Sequence, residues 1–88
     1  MTNMTNKLET VEPGDFLEYL GGDPQDSFGM LEVGKSYLVV VTGSAENRET
    51  GEEFPMVAVL VPHAGGHWAI IDAPDDTDVT NAHCFKQA

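Results

Sequence analysis

Leu31-Glu32-Val33-Gly34-Lys35-Ser36-Tyr37-Leu38-Val39-Val40-Val41-Thr42 is the stretch on which the fold turns. Val33-Gly34-Lys35 reads as a turn. From Tyr37 to Thr42 every side chain is aromatic, β-branched or aliphatic, the types that fit a pleated and buried surface. The run is too short to cross a bilayer, which needs about 20 apolar residues. It reads as the central strand of a small β-barrel. Tyr37, Val39 and Val41 fall on one face, Leu38 and Val40 on the other. Apolar residues on both faces imply burial on both sides, or one face covered by the N-terminal tail or by a partner.

Working outward, the flanks repeat the pattern of short strands cut by turn residues. Upstream, Pro13-Gly14-Asp15 is a turn signal that launches Phe16-Leu17-Glu18-Tyr19-Leu20. In that segment Leu17 and Tyr19 suit the interior, with Phe16 and Glu18 outward. Gly21-Gly22-Asp23-Pro24-Gln25-Asp26-Ser27 is a loop. Downstream, residues 43–53 are polar and read as a hairpin loop, with Thr50-Gly51 supplying the positive-φ position a tight turn needs. Residues 54–61 form the next strand, with Pro55 near its start, where a missing N–H is tolerated. Val57, Val59 and Val61 alternate with Met56, Ala58 and Leu60.

After the turn Pro62-His63-Ala64-Gly65-Gly66, the segment His67-Trp68-Ala69-Ile70-Ile71-Asp72 is a fourth strand. Ala73-Pro74-Asp75-Asp76-Thr77-Asp78 breaks it. Residues 79–85 read as one helical or 3₁₀ turn followed by a final strand residue or two. Residues 1–12 are polar and read as a flexible tail, leaving residues 13–88 as a single domain. With turn signals every 8–12 residues and no helical periodicity, the fold class is all-β, a small barrel or sandwich.

Composition bounds what such a domain can do. Its 88 residues bury one modest core, and 41% of them are hydrophobic. Fifteen acids against four Lys and Arg give a net charge of -11. That balance excludes direct binding to nucleic acid or anionic lipid, both of which need clustered cations. It suits the converse, a partner whose own surface is basic. The lone Cys84 cannot form an internal disulfide, and no secretory signal is legible in residues 1–12, so a cytoplasmic setting is expected.

The turns and core positions carry a resemblance. Pro13-Gly14-Asp15-x-Leu17-x-Tyr19, a Gly/Asp loop, and then Leu31-x-Val33-Gly34-Lys35-x-Tyr37-x-Val39 look like the small SH3-like β-barrel proteins frequently encoded by bacteriophages. Gly66-His67-Trp68 and His83-Cys84-Phe85 sit where such proteins close their barrel. The resemblance covers residues 13–85 and implies an SH3-like barrel of about five strands. It implies no catalytic residue. Residues 75–78 depart from it as an acidic insertion. A phage origin would place the protein in the host cytoplasm.

Chemistry-bearing residues are sparse. His63, His67, His83 and Cys84 have metal-ligand identity, but adjacent His83 and Cys84 point to opposite sides of an extended chain, and no Cys-x₂-Cys pair is present. Cys84 beside His83 would need a positive environment to ionise, and the chain is acidic. Asp75-Asp76-Thr77-Asp78 offers oxygen ligands without the twelve-residue loop of an EF-hand. Gly21-Gly22 and Gly65-Gly66 lack the Lys-Ser/Thr of a phosphate cradle. The expectation is therefore no enzyme, no cofactor and no metal.

What remains is the acidic surface and one aromatic. Glu46, Glu49, Glu52 and Glu53 in one loop, Asp72, Asp75, Asp76 and Asp78 in another, and Trp68 beside them are the expected partner-binding residues. DNA carries one negative charge per ~1.7 Å of axis, and clustered carboxylates can occupy the basic cleft of a DNA- or RNA-handling enzyme. The expected function is a non-enzymatic protein-binding module, a phage accessory protein that inhibits or modulates a host nucleic-acid-handling protein as a DNA mimic, acting as a monomer or homodimer. The alternative is a small structural or assembly protein that self-associates through strand edges or Trp68.

Overall fold

The computed structural model describes residues 8, 10–26, 29–62, 65–74 and 80–88. They form five strands: β1 (Phe16–Tyr19), β2 (Ser36–Glu46), β3 (Glu53–Val61), β4 (Gly66–Ile71) and β5 (Phe85–Gln87), with a 3₁₀ turn at Ala82–Cys84 just before β5. All pairings are antiparallel, and the strands make one sheet in the order β4-β3-β2-β1-β5. The all-β expectation holds. Among the described residues no helix is long and apolar enough to cross a membrane.

The opening turn forms as its sequence requires. Lys35 N–H donates to Glu32 O over 3.1 Å, and Gly34, the third residue of that turn, has φ +87°. A side chain there would meet left-handed strain, so glycine closes a type II turn. The turn is pinned to β1 by Gly34 N–H donating to Tyr19 O (2.8 Å) and Tyr19 N–H donating to Lys35 O (3.0 Å). Tyr37 completes the clamp: its hydroxyl accepts from Glu32 N–H at 2.8 Å while its ring lies in the core.

The core is the inner face of the sheet. Leu17 and Tyr19 come from β1, Tyr37 and Val39 from β2, Val57, Val59 and Val61 from β3, Ile70 from β4 and Phe85 from β5. The Tyr19 and Phe85 rings lie 5.2 Å apart at 45°. The inward assignment of Leu17 and Tyr19 on β1 therefore holds, and of the two alternating sets on β3 it is Val57, Val59 and Val61 that face the core. Pro55 lies within β3 opposite Ser44. Its carbonyl accepts from Asp72 N–H at 2.9 Å, beyond the last residue of β4. The missing N–H of proline thus faces the side where β4 has ended and interrupts no ladder.

Four expectations need correction. The barrel is not closed: among the described residues no ladder joins β4 to β5. Asn81 stands in that place. Its side-chain carbonyl accepts from Ile71 N–H (2.7 Å), its amide donates to Ala69 O (3.1 Å), and its backbone N–H donates to Ile71 O (3.1 Å). The outer edge of β4 is thus satisfied by one side chain and its backbone.

Second, the hairpin strands run longer than expected, because Ser44↔Pro55, Ala45↔Phe54 and Glu46↔Glu53 pair within what reads as loop. The turn residues shrink to 47–52, where Gly51 has φ +78°.

Third, Val41 does not share a face with Tyr37 and Val39. The register shifts between Val39↔Val59 and Val41↔Ala58, so Val40 is an extra residue on β2. A β-bulge of this kind turns the following side chain over, leaving Val41 51% exposed.

Fourth, of the expected tail only residues 8 and 10–12 lie among the described residues, and two of them reach the core. Leu8 and Val11 are buried within the main cluster, and Val11 N–H donates to Leu8 O at 3.2 Å.

Candidate functional site

The acidic residues expected to meet a partner separate into three groups. The first is intact. Glu46 and Glu53 face each other directly across the β2–β3 hairpin, and Glu49 and Glu52 lie in the turn between them; all four are exposed. The turn is held by its own short-range bonds. Asn47 N–H donates to Glu52 O and Gly51 N–H to Asn47 O, both at 2.7 Å, and the Asn47 side chain accepts from Glu49 N–H at 2.9 Å. Asn47 therefore fixes where Glu49 and Glu52 leave the backbone. Arg48 is the one cation between residues 36 and 61.

Like charges placed opposite each other on a ladder are destabilising. Glu46 and Glu53 occupy such a pair, where Cα atoms of an antiparallel ladder lie about 4.5–5.5 Å apart. The local partners are weak: Ser44 Oγ donates to Glu53 Oε1 at 3.5 Å and Thr50 Oγ1 to Glu52 Oε1 at 3.4 Å. The carboxylates thus point negative charge outward with their hydrogen-bonding capacity largely open to solvent.

The second group, Asp75, Asp76 and Asp78, lies outside the described residues. The third, Asp72, is only 6% exposed, and its Oδ2 accepts from Leu8 N–H at 3.4 Å. Asp72 is thus turned into the fold beside the N-terminal segment rather than displayed.

Trp68 is half-buried on the inner face, opposite Val59 on β3. Its indole N–H donates to Asp23 Oδ2 at 2.9 Å. Asp23, buried in the loop after β1, is the hub of a network that spans the chain. The same oxygen accepts from Asn81 Nδ2 at 3.0 Å, and Oδ1 accepts from Gln25 N–H at 2.9 Å. Asp23 N–H donates in turn to the Tyr19 hydroxyl at 2.9 Å. A buried carboxylate without a cation needs such donors to replace its hydration. A groove of ≈ 300 Å³ runs along this site, lined by Gln25, His67, Trp68, Ala69, Ile71 and Asn81.

Sequence reasoning passed over Asp23 and Asn81. The Asp23-Pro24-Gln25 segment carries the signal of an Asx turn, which Gln25 N–H bears out, but nothing local announces a bond to Trp68 45 residues on. Among the described residues the metal-type side chains are not brought together. His67 and His83 are exposed, Cys84 is buried, and His63 lies outside the described residues. Among the described residues no cluster of His, Cys, Asp and Glu could hold a metal ion.

No protein-family model matches this chain, and neither a curated protein nor a solved structure matches it.

Proposed function

We propose that the protein is a non-enzymatic binding module that docks its acidic β2–β3 hairpin onto a basic surface of another protein, one that handles nucleic acid. The observation that carries this reading is the Glu46↔Glu53 pair, two like charges held opposite each other on a ladder with Glu49 and Glu52 exposed in the same turn. That arrangement opposes folding, and it gains a rationale when a cationic partner neutralises it. Carboxylates concentrated on a projecting turn imitate the dense charge of a nucleic-acid backbone. The net charge of -11 adds a long-range field that speeds encounter with a basic partner.

The likeness of the turn pattern to phage-encoded SH3-like barrels supports a phage accessory protein acting on a host factor in the host cytoplasm. Five antiparallel strands agree with the all-β part of that likeness, although the sheet is open between β4 and β5 among the described residues. In a module of this kind the network of Asp23, Trp68 and Asn81 stiffens the body that carries the hairpin.

The test is capture from a bacterial lysate with the wild-type chain and with the variant Glu46→Gln, Glu49→Gln, Glu52→Gln, Glu53→Gln. The wild type is expected to retain a protein with a basic nucleic-acid-binding surface, and the variant to lose it. Equal capture by both would refute the proposal.

A further inference from the structure

The open edge of β4 carries a row of backbone groups that the fold satisfies only in part. Bonds to a neighbour alternate along an antiparallel strand. Asp72 N–H donates to Pro55 O, so Ile70, Trp68 and Gly66 bond to β3, while Ile71, Ala69 and His67 turn their N–H and C=O groups outward. Asn81 serves the first part of this edge. Its side-chain amide donates to Ala69 O and accepts from Ile71 N–H, on either side of Ile70. One residue of a parallel strand makes the same pair of bonds, reaching two residues of its neighbour that lie two apart. One step further along the edge, His67 N–H, His67 C=O and Ala69 N–H have no partner among the described residues. His67-Trp68-Ala69 also contains neither the Lys nor the Pro with which natural edges refuse pairing. The groove of ≈ 300 Å³ follows this edge, lined by His67, Trp68, Ala69 and Ile71 with Gln25 and Asn81.

We propose that this edge binds a short, extended peptide segment of basic character, added as a strand parallel to β4 and in line with the Asn81 amide. One peptide residue beside Trp68 donates its N–H to His67 O and accepts from Ala69 N–H. The residue two places before it accepts from His67 N–H. Donors and acceptors that recur every two residues, about 6.7 Å apart, match the repeat of an extended backbone. Charge selects the character of the peptide. The residues that line the groove include no Asp, Glu, Lys or Arg. Behind them Asp23 accepts from the Trp68 indole, the Asn81 amide and Gln25 N–H, and from no cation among the described residues. A Lys or Arg of the peptide over Trp68 gains the attraction of the ring and the field of Asp23. An acidic peptide meets that field and a net charge of -11. A second copy fits worse on two counts. It brings another -11, and β4 on β4 about a two-fold axis pairs antiparallel, out of line with the bridge that Asn81 sets.

The contact uses no residue of the β2–β3 hairpin. Its affinity comes from main-chain bonds, so a generic basic sequence of high β-propensity suffices to reveal it. Removal of the four hairpin glutamates leaves these bonds in place. Hairpin docking and strand addition at β4 can therefore fail separately.

The experiment is an NMR titration of the full-length protein, at physiological salt, with the end-capped peptide Lys-Val-Lys-Val-Lys-Val. In the free protein Ala69 N–H should exchange with solvent faster than Ile71 N–H, which Asn81 holds. The peptide is expected to shift the amides of His67 and Ala69 and to slow exchange at Ala69 at least about tenfold. Two further peptides, N-methylated at the valines or at the lysines, each keep every charge and lose the N–H groups of one strand edge. One of the two should bind at least about tenfold more weakly than the parent and the other should not. The Glu-Val counterpart should also bind at least about tenfold more weakly. Ala69→Pro deletes the N–H at an edge position and should abolish binding. Ala69→Lys keeps the backbone, places a cation in the groove and should weaken binding, with an unchanged near-ultraviolet spectrum of Trp68 confirming the fold. The four-glutamine hairpin variant should bind the peptide within about threefold of wild type. Absence of any shift at Ala69 overturns the proposal, as does equal binding by the parent and both methylated peptides, or by the acidic one. Binding that disappears with the four hairpin glutamates overturns it too. Protection of Ala69 that rises with protein concentration alone also overturns it and gives the edge to a second copy.

Discussion

The indole N–H of Trp68 donates to the carboxylate of Asp23 over 2.9 Å, joining β4 to the loop after β1 across 45 residues of sequence. The bond shares its acceptor oxygen with the Asn81 amide. Asn81 in turn occupies the open edge of β4, so one buried acid holds both β4 and the segment that covers its edge. Asp23→Ala orphans three donors at once: the Trp68 indole, the Asn81 amide and Gln25 N–H. Each lost partner of a buried polar group costs roughly 1–3 kcal/mol. The expected total is about 2–4 kcal/mol by urea denaturation, a large share of the stability of a small domain. Asp23→Asn keeps an acceptor and should lose less. Trp68 emission should shift to longer wavelength in the alanine variant.

Asn81→Ala removes the bonds to Ile71 N–H and Ala69 O and uncovers the edge of β4. The expected loss is about 1–3 kcal/mol. Hydrogen exchange at Ile71 should quicken more than exchange at Val59, which sits in the centre of the sheet. Asn81→Asp should be worse than alanine, because it sets a second carboxylate against Asp23 where an amide donated.

The turn before β2 tests how the organising strand starts. Gly34→Ala places a Cβ at φ +87° with open space around it, so the penalty is backbone strain alone. Left-handed strain for a non-glycine residue is roughly 1–2 kcal/mol. A shift of that size in the denaturation midpoint is expected, with no change in far-ultraviolet spectrum. The neighbouring Val33→Asp should stay within about 0.5 kcal/mol of wild type, as exposed substitutions do.

Leu8→Ala should destabilise by about 2–3 kcal/mol, because Leu8 is buried against the main core. A residue in a loose tail would give no measurable change. Thermal or urea unfolding distinguishes the two directly.

Much of the fold is legible in the sequence, for local reasons. Gly34 announces its turn and Leu17 and Tyr19 announce the buried face of β1, whereas both alternating sets of β3 are apolar and nothing local singles out Val57, Val59 and Val61 as the buried one. The bulge at Val40 is not legible, since in Val39-Val40-Val41 any register looks equally apolar. The burial of Leu8 is masked by polar neighbours, which set the character of residues 1–12 while a single side chain sets their packing. Asp23 and Asn81 read as loop residues because their partners lie up to 58 residues away. The hairpin acids are visible at once, yet their opposition across the ladder appears only when the strands are seen to extend to Glu46 and Glu53.

The most direct measurement of hairpin docking is its salt dependence, read with the protein captured from lysate. Affinity for the wild type and for the four-glutamine variant should be compared at physiological salt and at about 0.5 M, where the Debye length falls to roughly 4 Å. The expected result is wild-type binding that weakens steeply with salt, a variant that binds weakly at both, and both folded, the variant at least as stable as the wild type because its like-charge pair is gone. Binding that is insensitive to salt, or that survives the loss of Glu46, Glu49, Glu52 and Glu53, would contradict docking through the acidic hairpin.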